Sequence, residues 1–483
     1  MKPKNLLFVM SDEHNRRVMG CHGHPVIRTP NLDRLAGGGV RFTDAYCNSP
    51  ICVPSRASLH TGRYVHDIRF WDNCIAYDGS LPSWAHRLRD AGHRVDSIGK
   101  LHFRSGDDDN GFSREHMPLH IVDGIGDPIG MLRDPPPRRV ASLKLAAEAG
   151  CGDSNYQSYD DRITAAAEGW LRERAETPDG KPWMLFVSLV CPHFPLVARP
   201  EWYDLYPEDK VPWPFDYAED ERVRHPFIDA LRACQVYDEA FDAQKVRKAI
   251  AAYYGLVSFV DHNVGRLVKA LEDNGLAGET RVIYTSDHGD NLGARGLWGK
   301  SNMYDDALAV PMIIAGPGVP RGVACSEPVS LVDCFPTIVD CVGLEPHADD
   351  LDLPGSPLLD IVGGRARQRT VLSEYHAAGA ATGAFMIRRG KFKYVHYVGM
   401  PAQLFDLEAD PCERRDLARD AGYRGLAADC QAALREVVDP EAADALARKD
   451  QAAKIEALGG REKILAMGSF GHSPVPGTKA VYN

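Results

Sequence analysis

Four short apolar runs in this chain empty directly into residues that carry chemistry. Asn5–Met10 leads to Asp12-Glu13, Arg94–Ile98 to Lys100 and His102, Trp183–Val190 to His193, and Arg281–Thr285 to Asp287-His288. Each run has the length and composition of a buried strand. In open α/β sheets, functional groups collect beyond the carboxyl ends of the strands. Between the runs, helices are expected over Pro30–Ala36, Pro82–Ala91, Tyr159–Ala175 and Val246–Asn274. In the longest, Tyr254, Val257, Val260, Val264, Leu267 and Leu271 share one stripe, a core-packing face. The expected architecture is α/β: a large mixed β-sheet sandwiched between helices over residues 1–365. A smaller C-terminal α+β domain with an antiparallel sheet is expected over 366–440, where Phe385–Arg388 and Lys391–Tyr397 flank Arg389-Gly390 as a hairpin. Residues 441–483 read as a helical tail, either reaching a neighbouring subunit or solvated.

One stretch is more particular than the rest. Cys52-Val53-Pro54-Ser55-Arg56 reads as a loop entering a short helix, with Pro54 in its first turn and Gly62 at its stop. Cys52 then sits at the donor-rich end of a helix, a seat for an oxyanion. Taken singly, these features have plain explanations. A cysteine before a helix is a structural thiol or an ordinary nucleophile, and two acids after a strand are a solvated turn. Lys100 and His102 are a surface pair on one side of an extended segment. Cys21-His22-Gly23-His24 has no second cluster at zinc spacing and reads as structural.

Taken together, they resemble the type I, formylglycine-dependent sulfatases of the alkaline phosphatase superfamily. Cys52-x-Pro-x-Arg followed by Leu59-x-Thr61-Gly62-Arg63 is similar to the signature of that family, and Thr29–Tyr46 extends the likeness. The resemblance implies that a formylglycine-generating enzyme converts Cys52 to formylglycine, whose hydrate attacks sulfur and later expels sulfate. It implies one divalent metal, calcium ahead of manganese or magnesium, held by Asp12, Glu13, Asp287, His288 and residue 52. The family usually carries Asp-Asp where this chain has Asp12-Glu13, so the site has a longer side chain to accommodate. By the same resemblance, Arg56 would orient residue 52, and Lys100 and Lys300 would neutralise the sulfate. His193 or Lys300 would protonate the leaving oxygen, and His102 would act as base. Asn73, Lys100, His193 and Lys300 would contact substrate. The features Trp71-Asp72-Asn73, Asp287-His288 and Ser373-Glu374-Tyr375 look closest to bacterial choline sulfatases and arylsulfatase-like enzymes. The acid expected after that tyrosine is replaced by Ala377-Ala378-Gly379, which weakens the case for a cationic choline headgroup and leaves an aryl or other small alkyl sulfate open. A phosphonate monoester or phosphodiester hydrolase of the same superfamily is the alternative, although such enzymes tend to replace the Lys100/His102 pair. An inactive metal-binding scaffold would lack residue 52 or a ligand, and neither is missing.

Composition narrows the partners. With 56 basic and 67 acidic residues the net charge is −11, which disfavours a general nucleic-acid surface. The apolar run Asn5–Met10 is too short for a signal core or a membrane span, so no membrane association and a cytoplasmic location are expected. Twelve cysteines without CxxC pairs read as reduced, mostly buried thiols. A homo-oligomer is expected. Residues 104–156 show little periodic hydrophobicity and read as a long lid or binding loop, which the resemblance would give to substrate recognition; residues 196–245 read as another insertion of low regularity.

Overall fold

The structure, a computed structural model, describes residues 3–177, 180–480 and 482. Its larger sheet is built from β1 (Asn5–Asp12), β2 (Gly39–Phe42), β3 (Val95–Lys100), β4 (Arg114–Leu119), β5 (Met184–Pro192), β6 (Thr280–Ser286), β7 (Met312–Ala315) and β8 (Val323–Cys325). The strand order is β8-β2-β7-β6-β1-β5-β3-β4. From β6 to β4 every pairing is parallel, whereas β7 runs antiparallel to both β6 and β2. The sheet is therefore mixed, as expected. Strand β1 is buried from Leu6 onward, the mark of a central parallel strand covered on both faces. Since β6, β1, β5 and β3 are adjacent and parallel, the four polar clusters that follow them lie along one edge of the sheet.

Helices cover this sheet: α1 (Pro30–Gly37), α2 (Cys52–Thr61), α3 (Trp84–Asp90), α4 (Asn155–Glu176), α5 (Ala243–Asp273) and α6 (Cys334–Val342). Helices α4 and α5 pack on each other and on β5, while α6 packs on β1, α2 and α3. The expected stripe of α5 is buried. A smaller antiparallel sheet follows, with β9 (Thr370–Tyr375), β10 (Ala384–Arg389), β11 (Phe392–Tyr397) and β12 (Met400–Asp406) in sequential order. Arg389 pairs with Phe392, and Gly390 takes a positive φ of 55° in the two-residue turn between them. Helix α7 (Arg424–Val437) closes this layer by setting Cys430 and Leu434 on Leu372, Phe385, Tyr394 and Leu404.

Beyond it, α8 (Pro440–Ala457) and α9 (Arg461–Met467) lie back against the same chain. Asp450 accepts the Trp71 indole N–H at 2.8 Å, Asp444 pairs with Arg133 at 2.7 Å, and Ile464 packs with Cys74, Ile129, Met131 and Leu132. Two segments expected to be irregular contain regular structure. Arg114–Leu119 is an edge strand in which only Leu119 is buried, so it lacks the apolar run that marks the central strands. Pro226–Gln235 is a helix begun by a proline and burying Phe227, Ile228, Leu231 and Cys234. All twelve cysteines are free. Among the described residues no helix is long and apolar enough to cross a membrane.

Candidate active site

The site forms where the parallel strands end and α2 begins. Gly62 terminates α2 in a left-handed conformation at φ 71°, with its N–H on the Ser58 carbonyl at 2.8 Å. Cys52 is the first residue of that helix and is 1% exposed. No side chain of its own caps the helix. Instead the Oδ1 of Asn73 accepts the Val53 N–H at 3.1 Å, which places Asn73 beside Cys52 as a cap.

Arg56, one turn along α2, turns its guanidinium onto the strand ends. Its Nε meets Asp287 at 2.7 Å and one terminal nitrogen meets Asp12 at 2.9 Å. The other donates to the Lys100 carbonyl at 2.8 Å and to Ser188 at 2.9 Å. One buried arginine thus ties together the ends of β1, β3, β5 and β6. Lys100 Nζ lies 2.6 Å from Asp12. Lys300 Nζ lies 2.9 Å from Glu13 and 3.5 Å from Cys52 Sγ. His193 stands between two cis X–Pro bonds, with Nδ1 on the Phe194 carbonyl at 2.7 Å and Nε2 3.3 Å from Glu13. His288 has Nδ1 on the Gly289 carbonyl at 3.0 Å, which leaves Nε2 facing Cys52 Sγ at 3.2 Å. His102 is buried, has φ 57°, and has Nε2 3.0 Å from the Ser473 hydroxyl. All ten ionisable candidates of the sequence reading therefore converge along this edge, with Asn73 at its margin.

Two neighbours were not singled out beforehand. Asp290 is buried and shares the Glu13 environment, accepting the N–H groups of Leu292 and Gly299 at 2.7 and 3.1 Å. Its signal was present as the second acid of Asp-His-Gly-Asp. Tyr156, near the start of α4, sets its ring 6.0 Å from that of His193, and no motif marks it.

The electrostatics follow from burial. Cys52 is pushed up to about 12 by burial, with Asp12 adding to the effect, so its thiol is neither a nucleophilic thiolate nor a ready metal ligand. Burial pushes Glu13 up to about 8 despite Lys300. Burial opposes the charge of Asp12, yet Lys100, His193 and Arg56 outweigh it and hold the carboxyl well below its usual range. Burial likewise opposes the charge of Lys300, but Cys52, Glu13 and Asp12 hold its ammonium far above the ordinary lysine value. Burial and the neighbouring Lys300 drive His193 well below its usual value.

A divalent cation fits these residues. Ligand atoms of Asp12, Cys52, Asp287 and His288 lie within 4.8 Å of one another, and Asp12, Glu13 and His193 form an overlapping set. Glu13 Oε1 is buried without a partner, the condition a metal relieves. An oxygen-rich set with one imidazole suits calcium, magnesium or manganese.

This chain belongs to the sulfatase family: the model described as "Sulfatase" matches residues 4–344, and "N-sulphoglucosamine sulphohydrolase, C-terminal" matches residues 293–439. It is a sulfuric ester hydrolase with an alkaline phosphatase-like fold. It is 34% identical to the choline-sulfatase of Rhizobium meliloti (strain 1021), over 93% of this chain and 89% of the relative. It is 28% identical to arylsulfatase K of Danio rerio, over 90% and 84%. Among solved structures, a complex with D-glucosamine-2-N,6-O-disulfate superposes with TM-score 0.71 at 23% identity, covering 91% and 99% of the two chains. The phosphonate monoester hydrolase of Agrobacterium radiobacter gives TM-score 0.70 at 24% identity, covering 90% and 95%.

Proposed function

We propose that this sulfatase hydrolyses a small aryl or alkyl sulfate monoester, using a formylglycine made from Cys52 by a formylglycine-generating enzyme and one divalent cation, calcium foremost. The observation that carries the reading is the environment of Cys52. Its sulfur is buried against His288, Lys300 and Asp12 at 3.2, 3.5 and 3.8 Å, where a thiol stays protonated and an oxygen nucleophile would be served by every neighbour. The hydrated aldehyde supplies that nucleophile, and the cation lowers the charge on it and on the sulfate.

The protein's own groups divide the remaining work. Asp12, Glu13, Asp287 and His288, with an oxygen of modified residue 52, would hold the cation, and Arg56 fixes Asp12 and Asp287. Lys100 and Lys300 neutralise the sulfate oxygens. Lys300 keeps its proton through the working range and donates it to the leaving oxygen. His193, neutral with its Nδ1–H committed to Phe194, gains a second proton only when the sulfate anion lies beside it and then binds a sulfate oxygen. His102 serves as base. Ala377, Ala378 and Gly379 offer no carboxylate to a quaternary ammonium, which favours an uncharged alcohol portion over choline.

Peptide mass spectrometry across Cys52, paired with hydrolysis of an aryl sulfate, choline sulfate and an aryl phosphonate monoester, tests this. The expected result is conversion of thiol to aldehyde, with the aryl sulfate turned over fastest and all turnover lost in Cys52→Ala. Full activity with an unmodified cysteine would overturn the mechanism. A converted cysteine with the phosphonate preferred would move the substrate to the second reading, which the intact Lys100/His102 pair disfavours.

A further inference from the structure

The chain beyond α9 returns to the active site. Gly468 leaves the helix with φ 78°, and Val475, 6% exposed and part of the main core, pins the segment again. Between these points lie His472 and Ser473. The Ser473 hydroxyl is 3.0 Å from Nε2 of His102, and its carbonyl accepts the Tyr156 hydroxyl at 2.7 Å. The His472 ring meets Tyr156 edge-on at 5.1 Å, and Tyr156 meets His193 in turn. One short segment therefore touches one candidate catalytic histidine directly and the other through a tyrosine.

His102 has need of such a partner. Its backbone is held at φ 57°, a conformation sparsely used by residues other than glycine. Its Nδ1 is buried and has no partner within the protein. In an imidazole, the hydrogen bond made by one nitrogen sets the tautomer and the aim of the other. A serine hydroxyl both donates and accepts, so it can hold Nε2 in either protonation state of the ring.

We propose that Ser473 is a positioning residue for His102: the C-terminal segment delivers its hydroxyl to Nε2 and thereby presents Nδ1 to the bound ester. The proposal rests on the reading of His102 as a group serving ester cleavage. It assigns a task in the reaction to residues some 370 positions away in sequence.

The test uses full-length, converted, calcium-loaded enzyme with Ser473→Ala and Ser473→Thr. Two readouts are taken: steady-state kinetics on an aryl sulfate, and the ring resonances of His102 in 15N-histidine-labelled protein, assigned with His102→Gln. Ser473→Ala is expected to lower kcat roughly ten- to a hundredfold with KM nearly unchanged, and to shift the His102 resonances; Ser473→Thr restores both. A rise in KM at constant kcat would overturn the proposal, because the segment would then only wall the substrate pocket. Unmoved His102 resonances in Ser473→Ala would overturn it whatever the turnover. A wild-type enzyme inert toward sulfate esters is instead the failure of the functional reading, and the resonances still report on the Ser473 contact.

Discussion

Arg56 spends four of its five N–H donors on the protein, on Asp12, Asp287, the Lys100 carbonyl and Ser188. A lysine cannot reproduce that planar fork. Arg56→Lys is expected to lower kcat about 10²- to 10³-fold and to weaken calcium binding about 10- to 100-fold, measured by steady-state kinetics and calorimetric titration. Removing the cation leaves Asp12, Glu13, Asp287 and Asp290 facing one another in a buried site. A chelator is therefore expected to abolish turnover and lower the thermal midpoint together, both restored by calcium; unequal recovery with manganese and magnesium would rank the metals. At this scale the sequence was readable where residues end a strand, as Asp12 and Lys100 do, or follow one directly, as His193 and Asp287 do. Tyr156 and Ser473 were not, because each reaches the site through tertiary packing that no local spacing encodes.

Elements translate these residues into geometry. Gly289 follows the candidate metal ligands Asp287 and His288, and a Cβ there would stand 2.1 Å from the Asp306 carbonyl oxygen. Gly289→Ala must push that loop off its seat, at a cost of about 1–3 kcal/mol, and is expected to weaken calcium binding more than it lowers the thermal midpoint. A second junction is sensitive to pH. The backbone N–H and Nδ1 of His66 both meet Glu374 of β9, at 2.9 and 2.8 Å. Burial opposes the charge on both groups, but their mutual attraction holds Glu374 near about 2, below its ordinary 4.5, and raises His66 from its ordinary 6.5 to about 9. The glutamate's contribution is present above pH 4.5 and is lost as pH falls toward 2; the histidine's is present below pH 6.5 and is lost as pH rises toward 9. Thermal midpoints are expected to decline across both windows, and Glu374→Gln to flatten the alkaline decline. The β10–β11 hairpin and the α5 stripe were legible because period and turn chemistry are local. The edge strand β4 was not, since an edge needs no apolar run.

Across the whole molecule, the two sheets are joined by buried charge. Lys393 of β11 is fully buried and meets Asp305 at 2.8 Å and Glu413 at 2.7 Å, while Arg295 meets Asp306 at 2.9 Å. Lys393→Met removes the cation that Asp305 and Glu413 share, leaving them only Arg16 at 3.2 Å and Arg295 at 3.6 Å, and is expected to cost about 3–5 kcal/mol, read from chemical denaturation. Neither this network nor the return of the tail was visible in the sequence, which identified the architecture through strand patterning and the family resemblance but not which distant charges meet. The burial of Cys52 also sets an order of events. A side chain 1% exposed at the floor of a closed edge offers no approach to a second protein, so an enzyme that oxidises it has to reach the chain before β1, β6 and the C-terminal segment have closed around it. If Cys52 is converted as proposed, folding and maturation compete: a molecule that folds first is expected to keep its thiol, and adding the maturation enzyme afterwards to the finished protein is expected not to recover it, which peptide mass spectrometry would read.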